Sequence, residues 1–94
     1  MQKSYVYVMT NTYRTTFYIG ITTNLQERVL QHIEGTGSKF TAKYNLKDLI
    51  YFEEFTDVEQ AIHREKQLKN WHKDWKLNLI RDVNPKLETL NLFE

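Results

Sequence analysis

Two runs of β-branched and aromatic residues open the chain, at residues 4–9 and 16–21, and both predict strands. The polar run between them is short enough for an antiparallel hairpin, and a register with Tyr7 opposite Tyr18 is the natural expectation. A third apolar run at residues 49–55 predicts a third strand. Between these runs the periodicity turns helical. Asn24 with Glu27 forms a capping-box pattern, and Leu25, Val29, Leu30 and Ile33 recur at helical spacing up to a stop at Gly35. Arg28 and His32 then lie one turn apart on a flank of that helix. A short helical turn is expected near 39–43. Thr56 with Glu59 repeats the cap-and-box pattern and predicts a longer helix from about 57 to about 71. A last helix near 73–83 carries Trp75, Leu79, Ile80 and Val83 and ends before Pro85, whose ring disfavours helical geometry at Asn84. The domain is expected to occupy residues 1–84, with the tail at 85–94 folding back through Leu87, Leu90, Leu92 and Phe93.

Length and composition narrow the class. Ninety-four residues suit one compact domain, and 40% hydrophobic with 27% charged residues is ordinary globular composition. No window approaches 18 apolar residues, and residues 1–4 lack the apolar region of a signal peptide, so a cytoplasmic protein without a membrane partner is expected. The absence of cysteine excludes disulfides, thiolate zinc and cysteine nucleophiles, which leaves metals bound by oxygen or imidazole and favours hard cations. Net charge is only +1, but it is segregated. Lys39, Lys43 and Lys47 make a basic stretch, and residues 64–81 carry six basic residues against Glu65 and Asp74. Such faces are usually just solvated, yet they also suit phosphate contacts.

The candidate chemistry starts from Glu65, which falls at helical spacing within the apolar positions Val58, Ala61, Ile62 and Leu68. A carboxylate on a buried face needs a basic partner, a bound cation or a raised pKa, whereas one at the stripe's edge can pair with a surface arginine. Tyr5, Tyr7 and Tyr18 taken singly are packing residues, and Arg28 and His32 taken singly are surface helix residues. Jointly they supply phenols, a guanidinium, an imidazole and a carboxylate, an inventory suited to phosphodiester hydrolysis. A zinc site at His32, His63 and His72 is disfavoured by spacing.

Tyr5-Val6-Tyr7, then Tyr18-Ile19-Gly20, then Arg28, His32 and Glu65 in that order resemble the GIY-YIG nuclease family, most closely its small stand-alone bacterial members. The resemblance covers nearly the whole chain. It implies an α+β fold, a single domain with a central three-stranded antiparallel sheet flanked by helices, with which the element pattern agrees. It also implies metal-dependent DNA endonuclease activity, in repair or recombination, with one Mg²⁺ or Mn²⁺ at Glu65. Tyr7 and Tyr18 match the two motif tyrosines, Gly20 the motif glycine, Arg28 the phosphate clamp and His32 the proton-transfer partner. Tyr7, helped by His32 and a cation, would activate water, although a phenol with a pKa near ~10 is a poor base unless positive charge favours phenolate.

Tyr5 and Val6 depart from the motif's first two residues without touching this chemistry, and Asn78 is the nearest counterpart to an asparagine found in larger members. Lys39, Lys43, Lys69, Lys73 and Lys76 are the expected backbone track for DNA. Trp71 and Trp75 are expected in the core, with stacking on unpaired bases as the alternative. The competing functions are a nucleic-acid-binding module with little cleavage of its own, dependent on a protein partner, and an RNA-directed nuclease.

Overall fold

A computed structural model describes residues 2–93. Strands β1 (Ser4–Thr10), β2 (Phe17–Thr22) and β3 (Asp48–Phe55) form one antiparallel sheet in the order β2-β1-β3. Around it lie helices α1 (Leu25–Glu34), α2 (Lys39–Lys43), α3 (Val58–Asn70) and α4 (Lys73–Val83). The fold is therefore α+β with a three-stranded antiparallel sheet flanked by helices.

Because β1 is central and covered on both faces, Val6, Tyr7, Val8 and Met9 are all buried, which accounts for its unbroken apolar run. Strand alternation divides them. Tyr7 and Met9 pack with Leu25, Val29, Leu46 and Leu49 on the α1 face, while Val6 and Val8 pack with Ile19, Ala61, Leu68 and Ile80 under α3 and α4. Val8 lies opposite Tyr51 but Met9 opposite Leu49, so Ile50 is the extra residue of a β-bulge. The bulge lets Ile50 and Tyr51 both join the α3 face.

Several expectations shift. Tyr7 faces Gly20 rather than Tyr18, whose own partner is Met9. The tyrosines share one sheet face as diagonal neighbours, with ring centroids 6.3 Å apart, because only a glycine leaves room for the Tyr7 ring to lie across β2. The cap of α3 is Asp57, which accepts from the Glu59 amide at 2.9 Å, not Thr56. On α1, Leu30 and Ile33 are exposed and the buried row is Leu25, Val29 and His32. On α3 only Ala61 and Leu68 are buried, while Val58 and Ile62 face solvent. Trp71 is half-buried against the core, but Trp75 is exposed. Gly35 ends α1 in the left-handed region, as its position predicts.

The tail packs on the sheet. The Leu90 amide donates to the Leu49 carbonyl at 2.7 Å, and Leu90 and Leu92 lie against the Tyr7 cluster. The nearly buried Asn84 donates to the carbonyls of Ile50 (2.9 Å) and Glu88 (2.8 Å). Arg14 clasps the tail from the hairpin, donating to the Leu87 carbonyl at 3.0 Å and to Thr89 at 2.9 Å. Phe93 is exposed.

Candidate functional site

Tyr7 and Gly20 come from the two strands of the hairpin, and Arg28 and His32 from successive turns of α1 laid over the same face. The Tyr7 hydroxyl lies 2.8 Å from His32 Nε2, and both residues are wholly shielded from solvent. Arg28 Nε donates to the same hydroxyl at 3.4 Å, and Gln31 holds the guanidinium from behind by accepting at 2.9 Å. Rings complete the cluster: Tyr18 lies 5.4 Å from His32, centroid to centroid.

On its far side, His32 Nδ1 lies 2.9 Å from Thr41 Oγ1, which also reaches Ser38 Oγ at 2.9 Å and the Ser38 carbonyl at 3.3 Å. The two ends of the imidazole are thus linked: the nitrogen that carries the proton donates, and the other accepts a hydroxyl proton, from Tyr7 at Nε2 or from Thr41 at Nδ1. Tyr7 accepts from Arg28 in either tautomer. The network is complete, with no orphaned buried side-chain polar atom among the described residues.

Two glycines make room for it. A Cβ at Gly20 would stand 2.4 Å from the Tyr7 hydroxyl, and one at Gly37 would fall even closer to His32 Nδ1. Burial dominates the proton affinities. It raises the Tyr7 pKa to about 12, despite the lowering effect of the Arg28 hydrogen bond, with Tyr18 and Glu65 adding to the rise. Burial, then the Arg28 charge, lowers His32 to about 4. The resting site therefore holds a neutral phenol and a neutral imidazole at pH 7. The protein groups alone disfavour the phenolate, which the sequence expectation makes conditional on a nearby cation.

Glu65 is half-buried on α3, near enough for its charge to act on Tyr7. Its partner is Lys69, one turn on, at 3.5 Å. That pair is loose and half exposed, and contributes little. Glu65 is thus neither a sealed buried charge nor paired with arginine. Among the described residues no three His, Asp or Glu side chains cluster as metal ligands. A single carboxylate is a donor set compatible with Mg²⁺, which is commonly bound through one or two carboxylates and keeps several waters.

The lysines divide. Lys69 and Lys76 line a cleft with Phe17, Tyr18, Ile19 and Phe40, beside the tyrosine cluster. Lys73 instead donates to the Thr15 carbonyl at 3.1 Å. Lys39 and Lys43 are exposed on α2, and Lys43 stands over the Tyr44 ring. Asn78 is exposed on α4, away from the Tyr7–His32 pair's hydrogen bonds. Sequence reasoning passed over Gln31, Gly37, Ser38 and Thr41. The available signal was Ser38 capping α2 by accepting from the Thr41 amide, which turns the Thr41 side chain inward.

A buried phenol–imidazole pair under a guanidinium, on a small sheet with a carboxylate helix alongside, defines a protein organised around one polar site at a hairpin. The chain belongs to the GIY-YIG family: the family model described as the GIY-YIG catalytic domain matches residues 3–78. Similar proteins include a UPF0213 protein of Staphylococcus haemolyticus, 33% identical over 87% of this chain and 99% of that one. A UPF0213 protein of Natronomonas pharaonis is 35% identical over 83% and 91%, and one of Clostridium perfringens 34% identical over 90% of each. None of these names states an activity. No solved structure matches the chain. Among the described residues no helix is long and apolar enough to cross a membrane.

Proposed function

We propose that this chain is a nucleic-acid-binding GIY-YIG domain that hydrolyses phosphodiester bonds in DNA when one Mg²⁺ or Mn²⁺ is held at Glu65, and is nearly inert without it. The observation that carries this is the hydrogen-bonded series Arg28–Tyr7–His32–Thr41, which ties the guanidinium, the phenol and the imidazole to one another. A cation held by Glu65 would supply charge neutralisation at the phosphate and polarise an oxygen beside it. Everything else falls to the protein. Arg28, already held by Gln31, clamps a phosphate oxygen with its remaining donors. With His32 in its Nδ1–H form, Tyr7 takes the attacking water's proton at Oη as its own passes to His32 Nε2, the water oxygen bonds to phosphorus, and the bond from phosphorus to the leaving oxygen breaks. Tyr18, on the open side of the same cluster, contacts phosphate or water. Repair and recombination are the settings this activity suits.

A second reading is favoured by the protonation of the resting site. Burial disfavours phenolate and imidazolium alike, so moving the Tyr7 proton to His32 is steeply uphill in the free protein. A module that binds nucleic acid but cleaves little by itself, awaiting a protein partner, has this property. Tyrosine, arginine and one cation do not distinguish sugars, so RNA is a further substrate to compare. The test is Tyr7→Phe on matched labelled DNA and RNA with Mg²⁺ or Mn²⁺. Cleavage should fall by at least about 100-fold if Tyr7 carries the proton. Full cleavage by Tyr7→Phe would remove that role, and binding without cleavage by the unaltered protein would establish the second reading.

A further inference from the structure

Beside the hydrogen-bonded chain lies an aromatic surface that phosphate chemistry does not use. Phe40 on α2 and Tyr44 at the helix's C-terminal cap, one turn further on, have ring centroids 4.9 Å apart and are each nearly half exposed. Phe40 continues into Tyr18, with centroids 6.3 Å apart and planes only 30° apart. The three rings form a ledge that starts at the candidate site and runs outward. Tyr18 and Phe40 line a cleft of about 330 Å³ together with Phe17, Ile19, Lys69 and Lys76. A cleft of that size is at the small end of the range for ligand sites.

The energetics of this arrangement are unusual for a free surface. Exposing two adjacent aromatic rings forfeits the burial that such side chains normally gain. The α1 face of the sheet is already filled by Leu25, Val29, Leu46 and the tail leucines. Lys69 and Lys76 line the cleft with Phe40, and Lys43 holds its ammonium 5.3 Å from the Tyr44 ring centroid. Exposed π-faces with ammonium groups beside them match one chemistry: a base attached to a phosphate backbone.

We infer that the Phe40–Tyr44 ledge is the subsite for an unstacked nucleobase of single-stranded DNA adjoining the phosphate held at Arg28, with Lys69 and Lys76 holding the neighbouring phosphates. The inference rests on the nucleic-acid-binding reading above and names its substrate class. Lys69 joins the two sites, because it lines the cleft and pairs with Glu65. A base stacked in a continuous duplex offers only its edges, so this ledge selects loose ends, gaps or single strands. Stacking on Trp71 or Trp75 is the alternative to the core positions expected for them, but Trp71 packs against the core and neither lines this cleft.

The experiment is equilibrium binding by fluorescence anisotropy without divalent cations, so that no cleavage is required. The probes are a labelled thymidine oligonucleotide of about twelve residues and the same backbone with abasic sites. The protein should bind the base-bearing strand at least about fivefold more tightly. Phe40→Ala should abolish that preference while leaving affinity for the abasic strand unchanged, and Phe40→Trp should keep it. Lys76→Ala should weaken both strands together and reduce the salt dependence. Equal binding of the two strands by the unaltered protein, equal weakening of both by Phe40→Ala, or no binding of either would overturn the subsite. Because cleavage is not read, a failed nuclease and a failed subsite give different results.

Discussion

Replacing Gly20 by alanine adds one methyl group at the most crowded point of the hairpin. Its Cβ would lie 2.4 Å from the Tyr7 hydroxyl oxygen and 2.5 Å from Cζ, whereas an ordinary contact begins at 3.4 Å. Tyr7 must therefore move by about 1 Å, and it has little space to do so. The ring is wholly buried, with Tyr18 and His32 at centroid distances of 6.3 and 5.6 Å. Overpacking of this kind costs about 1–3 kcal/mol. A 1 Å displacement also stretches the 2.8 Å bond to His32 past hydrogen-bonding length if it is outward, losing about 1 kcal/mol more. The expected total is about 2–4 kcal/mol, which should lower the urea midpoint by at least about 1 M with little change in slope. Gly35→Ala is the control. It has open space but a φ of 83°, so it costs about 1–2 kcal/mol through backbone strain alone. In ¹⁵N spectra Gly20→Ala should move the His32 ring signals, and Gly35→Ala should not. A Gly20→Ala protein of unchanged stability with unmoved His32 signals would refute the close packing of Tyr7 over β2.

Two further outcomes follow from the same network. Thr41→Val removes the hydroxyl at His32 Nδ1, so the Nδ1 signal should shift in ¹⁵N spectra and the fold should lose about 1–3 kcal/mol. Thr41→Ser should restore both, and an unmoved Nδ1 signal in Thr41→Val would contradict the contact. His32 is neutral in the fold to about pH 4 but takes up its proton near 6.5 when unfolded. The unfolded chain therefore binds the extra proton between those values. Its contribution to stability is full above about pH 6.5 and is lost as pH falls toward 4, by up to ~1.4 kcal/mol per pH unit. Urea titrations of the protein and of His32→Gln at pH 7, 6 and 5 should show this slope only in the former. Equal slopes would mean that His32 is not the buried neutral group described.

The elements were legible because their signals are local. Asn24 accepting from Glu27, Gly35 in the left-handed region and the apolar run of β1 each declare themselves within a few residues. Register was not legible, because the pairing of Tyr7 with Gly20 depends on where the ring lies, not on the strands' composition. The periodicity of α1 and α3 misled for a related reason. Short helices over a small sheet bury a narrow row, so Leu30, Ile33, Val58 and Ile62 remain outside while His32 goes in. The set of polar residues was visible in the sequence, but the chain of hydrogen bonds was not. Thr41 and Gly37 matter only because α2 returns beneath His32, which spacing along the chain does not announce.

Arg28, Tyr7, His32 and Glu65 are proposed above to form one cation-dependent phosphodiester site. The most direct measurement is nicking of supercoiled plasmid and of single-stranded and branched oligonucleotides, with and without Mg²⁺ or Mn²⁺. The unaltered protein would be compared with folded Arg28→Ala and Glu65→Ala. The account predicts cation-dependent cleavage that falls by about 100-fold or more in each variant. Cleavage undiminished in both variants, or none by the folded unaltered protein on any of these substrates, would contradict it.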